Sequence, residues 1–184
     1  MERPGMPGSD SQCADCHLKP GMKARYSVKC GEFYLERRRI MYKKILVPLD
    51  GSPFAEAVLP HAQEIALKEG AEIILLRIPA APAAEFLNRQ PAIAARIVDG
   101  ETAAAEKYVA AKMKSLERRN IKAQAITRVG PVPDTILEVA ETTHADLIAM
   151  STHGRTGAQR WLLGSVADQI VHRARIPVML IHPN

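Results

Sequence analysis

The residues best suited to chemistry form a glycine-rich segment, residues 151–165, with the sequence STHGRTGAQRWLLGS. Gly154 and Gly157 carry no Cβ, so a ligand can come close to the backbone there. Gly164-Ser165 stands where a helix is expected to begin, and the free N–H groups and dipole of a helix start favour an anion. Arg155 adds positive charge. The pattern predicts a phosphate-binding loop, with a plain glycine-rich connector as the alternative; it is not a Walker A loop, because Gly-Lys-Ser/Thr is missing.

A second candidate for chemistry lies near the start of the chain, in Cys13-Ala14-Asp15-Cys16-His17. The pattern C-x-x-C-H attaches haem covalently through its two thiols, with the histidine as axial ligand. A zinc site built from Cys13, Cys16, Cys30 and a histidine is another interpretation, although the spacing is not that of a standard pair of knuckles. The thiols are otherwise incidental to an unstructured tail, or belong to an over-extended reading frame upstream of Met41. The sequence leaves these alternatives open.

Composition excludes several classes of protein. The chain has 184 residues, of which 47% are hydrophobic and 24% charged, as in a globular domain with or without a tail. Aromatic residues make up 4%, which argues against a stacking surface for single-stranded nucleic acid. Residues 1–40 carry a net charge of +3 and residues 41–184 only +2, so the main body is close to neutral. No apolar run approaches the roughly 20 residues of a membrane helix. We therefore expect neither nucleic acid nor a membrane as partner.

The chain is expected to divide at residue 41. Residues 1–24 are rich in proline, glycine and polar residues without helical or strand periodicity, which predicts poor order. An abrupt change to apolar sequence follows Met41. We predict an N-terminal extension over residues 1–40, poorly ordered, and a domain over residues 41–184. All three cysteines lie in the extension and no secretory signal is visible, so we expect a reducing, cytoplasmic location.

Strands and helices alternate along residues 41–184. Five apolar segments predict strands, namely Ile45–Leu49, Glu72–Ile78, Ile121–Val129, Asp146–Met150 and Pro177–Ile181. Segments with helical spacing predict four helices, namely 53–69 with a kink or a tightened first turn at Pro60, Ile97–Arg119, one that begins at Pro133, and Ser165–Ala174. This order predicts an α/β domain, a parallel sheet with helices on both faces.

Local signals set several boundaries and the position of the site. Ser52 is expected to cap the first helix, Gly70 to end it, and Asn120 to end the second. An irregular stretch is expected up to about residue 95, and the alternating third strand is expected at a sheet edge. Ligands of such sheets bind beyond the carboxyl ends of the strands, where strand order reverses. A reversal beside the first strand would bring Asp50 next to the glycine-rich segment.

Residues 41–184 resemble the universal stress protein family over their whole length. The opening, MYKKILVPLDGS, is similar to the start of that family, and the stretch from Ser151 to Ala167 is similar to its motif. The ATP-binding branch carries G-x2-G-x9-G-S/T, which this chain matches at Gly154, Gly164 and Ser165, with Ser151 in place of the first glycine. The resemblance implies a five-stranded parallel sheet in a Rossmann-like nucleotide-binding fold, of the adenine nucleotide alpha hydrolase-like type.

The resemblance also implies a site for ATP or another adenine nucleotide, with Mg²⁺ as a possible companion. Asp50 would contact the ribose or the base, Ile78 would line the adenine pocket, and Met150 would meet the base or ribose. The backbone of Gly164 and Ser165 would hold phosphates, and no catalytic residue or metal ligand is assigned. The candidate binding residues are Pro48, Leu49, Asp50, Ile78, Met150, Ser151, His153, Gly154, Arg155, Gly157, Gly164, Ser165 and Val166. The residues by themselves independently support Asp50 and the segment 154–165.

The predicted function is that of a nucleotide-binding sensor or regulator in a stress response. A slow ATPase on the same fold is one alternative, and an interaction module without nucleotide, motivated by Ser151, is another. No general base and no paired carboxylates stand out in the loops, so we expect weak ATP hydrolysis at most. The resemblance further implies a homodimer through strand 177–181, which is apolar and expected at a sheet edge.

Overall fold

The structure is a computed structural model that describes residues 42–80, 89–152 and 163–182. The C-x-x-C-H motif and Cys30 lie outside the described residues. The strands are β1 (Lys44–Leu49), β2 (Glu72–Arg77), β3 (Ala123–Thr127), β4 (Leu147–Ser151) and β5 (Val178–Ile181). The helices are α1 (Pro53–Glu56), α2 (Leu59–Glu69), α3 (Pro91–Glu117), α4 (Val132–Thr142) and α5 (Ser165–Arg173). No helix in these ranges is both long and apolar enough to cross a membrane.

The five strands form one parallel sheet in the order β3-β2-β1-β4-β5. Strand β1 pairs with β2 on one side and with β4 on the other, so Leu46 stands opposite Ile74 and Ile148. The predicted α/β sheet is therefore confirmed, and so is the reversal of strand order beside the first strand. Strands β3 and β5 form the two edges, as their sequences predicted.

The core lies on both faces of the sheet, because the side chains of each strand alternate between the faces. On β2, Ile73 and Leu75 pack with residues of α2 and α3. Ile74 and Leu76 point the other way and pack with residues of α4 and α5. All four are fully buried, which explains why β2 is an almost continuous apolar run rather than an alternating one.

The first predicted helix is two helices, which is a correction in detail. Ser52 caps α1 as expected, since its Oγ accepts from the N–H of Ala55 at 3.1 Å. The helical conformation is interrupted between Glu56 and Leu59. Pro60 falls in the first turn of α2, where its missing N–H costs no hydrogen bond. Gly70 ends α2 in the left-handed region at φ 70° and confirms its predicted role.

The second long helix, α3, begins earlier than predicted. It starts at Pro91 rather than Ile97, so the irregular stretch expected up to about residue 95 is wrong in its last part. Proline suits a first helical turn, and Ala94 is completely buried there. Asn120 follows α3 in the left-handed region at φ 59°, as a residue that ends a helix does.

Candidate functional site

A cavity of about 280 Å³ opens at the carboxyl edge of the sheet, where the strand order reverses beside β1. Its walls come from the ends of β1, β2 and β4, from α1, and from the starts of α4 and α5. The lining residues are Pro48, Leu49, Asp50, Ala55, Leu76, Arg77, Ile78, Val132, Ile136, Met150, Ser151, Thr152, Gly164, Ser165, Val166 and Ala167. This is the position at which open parallel sheets bind their ligands.

The structure brings the predicted site residues together wherever it describes them. Those that line the cavity are Pro48, Leu49, Asp50, Ile78, Met150, Ser151, Gly164, Ser165 and Val166. The remaining candidates, His153, Gly154, Arg155 and Gly157, lie outside the described residues. The two segments that the sequence analysis placed side by side, around Asp50 and around Gly164, therefore share one cavity.

The turn after β1 holds Asp50 at the cavity wall. The N–H of Ser52 donates to Oδ1 of Asp50 at 2.8 Å, an Asx turn closed by the side chain itself. Gly51 sits between them at φ 81°, a left-handed conformation that glycine adopts without steric penalty. Since Ser52 in turn caps α1, the position of the carboxylate is tied to both β1 and α1.

Another part of the lining is a close approach between the end of β4 and the start of α5. The N–H of Gly164 donates to the carbonyl oxygen of Thr152 at 2.9 Å. A Cβ on Gly164 would stand 2.9 Å from that same oxygen, although φ −60° and ψ 150° are open to any residue. Glycine is therefore required here for contact distance and not for backbone conformation.

The first turn of α5 supplies hydrogen-bond donors to the cavity. Among the described residues, no side chain caps this helix, and the segment Gly164–Ala167 lines the cavity. The first N–H groups of a helix have no partner within the helix, and they carry the positive end of its dipole. This wall suits an anionic group such as a phosphate. Ile78 and Met150 add apolar surface to the lining.

Sequence reasoning missed several lining residues. Thr152 holds the end of β4 against β5, since its N–H donates to Ile181 and its Oγ1 lies 3.1 Å from Nδ1 of His182. Val132 and Ile136 come from α4, where the spacing of apolar residues predicts a buried face but not the cavity it lines. Arg77 had one visible signal, a charge at the end of an otherwise apolar strand.

Comparison with known proteins identifies the family of this chain. A sequence model described as "Universal stress protein family" matches residues 41–182. This chain belongs to the universal stress protein family. Universal stress protein MJ0531 of Methanocaldococcus jannaschii is 34% identical over 143 residues, which cover 77% of this chain and 82% of the relative.

Solved structures agree with this assignment. The structure of MJ0577 superposes on this chain with a TM-score of 0.70 at 29% identity. MJ0577 is also a universal stress protein of M. jannaschii. The match covers 79% of this chain and 99% of MJ0577. The two chains therefore share one fold.

Two more distant structures share the fold and were solved with ligands. A universal stress protein in complex with cAMP has a TM-score of 0.52 and 22% identity, over 78% of this chain and 99% of that one. The universal stress protein of Archaeoglobus fulgidus in complex with dAMP has a TM-score of 0.50 and 21% identity, over 77% and 99% of the two chains. At this identity the likeness shows the fold alone.

In this universal stress protein, a polar cluster joins α1 to α3 close to the cavity. Glu56 accepts from the hydroxyl of Tyr108 at 2.7 Å and from Nζ of Lys112 at 2.5 Å. The cluster could not be predicted from local sequence, because Glu56 lies more than fifty positions from Tyr108 and Lys112. Glu56 is half-buried, with 30% of its side chain exposed.

The cluster shifts the pKa values of its acids. Partial burial raises the pKa of Glu56, but the hydrogen bonds from Lys112 and Tyr108 and the charge of Lys112 together outweigh it and leave the pKa below its ordinary value. Burial, followed by the hydrogen bond to Glu56, raises the pKa of Tyr108 well above its usual range. Glu56 is thus held in its charged form, and Tyr108 as the neutral donor.

We expect Glu56→Gln to lower the free energy of unfolding at pH 7 by about 0.5–1 kcal/mol, the upper part of the range for partly exposed ion pairs. Because the pKa of Glu56 is lowered in the folded state, its contribution is present above the unfolded pKa and is lost as pH falls through the folded pKa. The difference between wild type and variant should therefore shrink in acid. Urea unfolding at several pH values measures it.

Glu64→Gln is the matched control, because Glu64 pairs with Lys68 on a fully exposed surface of α2. This variant should lose much less stability than Glu56→Gln, because solvent screens the exposed ion pair. A Glu56→Gln variant as stable as wild type at pH 7 would show that the cluster joining α1 to α3 contributes nothing to stability.

Proposed function

We propose that this universal stress protein binds an adenine nucleotide, with ATP as the leading candidate, and acts as a sensor or regulator in a stress response. The observation that carries the proposal is a single cavity that both Asp50 and the start of α5 line. Complexes of two proteins of this fold with cAMP and dAMP are consistent with an adenine ligand. For this chain the support comes from its own lining residues.

The chemistry of the walls suggests how the ligand would lie. The adenine ring would pack against the apolar side chains of Ile78 and Met150, which exclude water from its faces. Ribose hydroxyls would donate to the carboxylate of Asp50, a charge-assisted hydrogen bond. The phosphates would accept from the first N–H groups of α5 and from the hydroxyl of Ser165.

The described residues offer Mg²⁺ no protein cage. Asp50 is the one carboxylate among the described residues that line the cavity, and no group of three or more His, Cys, Asp or Glu side chains suited to a metal occurs within the described ranges. Magnesium sites in nucleotide-binding proteins use substrate phosphates together with one or two carboxylates. We therefore propose that any Mg²⁺ is held chiefly by the phosphates.

A sensor requires only that occupancy change with nucleotide concentration and that the bound and free states differ. The most direct test is to denature the purified protein and look for released adenine nucleotide, then to titrate ligand-free protein with ATP, AMP and cAMP by calorimetry. GTP is the control for recognition of the base. No binding of any adenine nucleotide at millimolar concentration, with and without Mg²⁺, would refute the proposal. Phosphate release well above background would instead show an ATPase.

Two replacements of Asp50 separate its hydrogen bond within the turn from its proposed contact with the ligand. Asp50→Asn keeps an oxygen that can accept from Ser52 but removes the charge, whereas Asp50→Ala removes both. We expect Asp50→Asn to weaken ATP binding by about three- to tenfold, because a neutral hydrogen bond replaces a charge-assisted one. Asp50→Ala should weaken it by more than about tenfold, as for loss of a hydrogen bond to a charged group. Calorimetry on both variants measures the effect.

Asp99→Ala serves as the control for Asp50, since Asp99 is an exposed acid on α3. It should bind ATP like wild type. Wild-type affinity in Asp50→Ala would show that the carboxylate does not meet the ligand and would remove one wall of the proposed site.

A further inference from the structure

Arg77 is a buried charged side chain, and burial of a charge is energetically unfavourable. It is the last residue of β2 and only 8% exposed. The buried polar residues in the described ranges are Ser52, Arg77, Thr135 and Ser151, so Arg77 is the charged member of that set. Burial of a charge is unfavourable unless it is paired and hydrogen-bonded, so the guanidinium must be placed by specific contacts.

The guanidinium lies beneath the turn that presents Asp50. Its Nη1 donates to the carbonyl oxygen of Leu49, the last residue of β1, at 3.3 Å. Its Nη2 lies 3.6 Å from the point where a Cβ on Gly51 would stand, so the guanidinium lies beside the turn on the side that a larger residue would occupy. A planar guanidinium with several donors in fixed directions can hold a carbonyl and support a turn together, which a flexible ammonium does less well.

The charges of Arg77 and Asp50 both act on Tyr108 of α3. Beyond burial and the hydrogen bond to Glu56, the charge of Arg77 lowers the pKa of this phenol and the charge of Asp50 raises it. Both charges therefore lie within electrostatic reach of α3. The backbone of Arg77 pairs with Thr127 of the edge strand β3. Its side chain extends the other way, to the end of β1.

We infer that Arg77 is a positioning residue for nucleotide binding, whose guanidinium holds the Leu49–Ser52 turn so that the Asp50 carboxylate faces the ligand. The inference rests on the proposed function. Arg77 acts through the turn and through Asp50, not by direct chemistry on the nucleotide. Loss of Arg77 should therefore loosen the turn and should weaken binding only while Asp50 is present to be positioned.

The first test follows the turn in the protein without ligand. Amide hydrogen exchange at Ser52, whose N–H donates to Asp50, is compared in wild type, Arg77→Met and Arg77→Lys. We expect exchange at Ser52 to rise by about tenfold in Arg77→Met and by less in Arg77→Lys, with Ile148 in the inner strand β4 unchanged. Arg119→Met, at an exposed arginine that donates to Gln63, is the matched control. Unchanged exchange at Ser52 in a folded Arg77 variant would overturn the inference.

The second test is a double-mutant cycle on ATP affinity. We expect Arg77→Met to weaken binding by about five- to tenfold, and Arg77→Met combined with Asp50→Ala to bind within about twofold of Asp50→Ala alone. Additive losses would show that Arg77 does not act through Asp50 and would overturn the inference. If Arg77→Met does not fold, Arg77→Lys takes its place in the cycle.

The outcomes also separate this inference from the proposed function. A wild-type protein that binds no adenine nucleotide contradicts the proposed function, whereas hydrogen exchange still decides whether Arg77 holds the turn. A wild-type protein that binds ATP, with additive losses in the cycle, contradicts only the role of Arg77.

Discussion

Gly164→Ala is expected to weaken ATP binding by at least about tenfold, or about 1.4 kcal/mol. The new Cβ would stand 2.9 Å from the carbonyl oxygen of Thr152, closer than such atoms approach, and that oxygen belongs to the backbone. The start of α5 must then move away from the end of β4. The shift breaks or lengthens the 2.9 Å hydrogen bond from Gly164 to Thr152 and displaces the N–H groups proposed to hold the phosphates. Gly164→Val adds two methyl groups at the same point and should abolish measurable binding.

Gly100→Ala is the matched control for Gly164→Ala. Gly100 lies within α3, and a Cβ there meets nothing within 4 Å. Because alanine favours a helix over glycine by about 1 kcal/mol, Gly100→Ala should bind ATP like wild type and be slightly more stable. Calorimetry measures the affinities, with circular dichroism as the folding check. Wild-type affinity in a folded Gly164→Ala protein would mean that the phosphates do not lie against α5.

Much of this fold follows from local sequence. Near-continuous apolar runs such as Ile73–Leu76 can be stable only where both faces of a strand are covered, and their alternation with helical segments fixes a parallel sheet. Helix ends were predictable where a single residue decides them, as Ser52 and Gly70 do. The start of α3 was not, because Pro91 and Ala94 belong to a helix whose first turns carry little apolar periodicity and depend on packing.

The residues of the candidate site also fall into those that local sequence predicts and those that depend on packing. Asp50 and Gly164 were predictable because each belongs to a short segment with a distinctive pattern at the end of a strand. Arg77 and Ile136 were not, since their place in the cavity depends on how β2 and α4 pack against β1. The polar cluster of Glu56, Tyr108 and Lys112 likewise exists only once α1 and α3 meet. Contacts between distant segments leave no periodic trace in the sequence.

We also propose that the protein is a homodimer paired through β5. In the described part of the chain this edge strand pairs with β4 alone, and all four of its apolar residues are partly exposed. The carbonyls of Pro177 and Ile181 face β4, so the backbone groups of Val178 and Leu180 point to the open edge. A two-fold axis beside this edge would pair β5 with its own copy in antiparallel fashion, which satisfies those groups and covers the apolar side chains.

Simultaneous replacement of Met179 and Ile181 by lysine should convert this dimer to a monomer. Four like charges would then face one another across the two-fold axis, while the long lysine stems can still reach solvent from a partly exposed strand. Light scattering should give twice the 20.2 kDa chain mass for wild type and the single chain mass for the double variant. Val171→Lys, at a site on α5 that is 43% exposed, is the matched control and should stay dimeric. A monomeric wild type, or a folded double variant that remains dimeric, would show that β5 is not the interface.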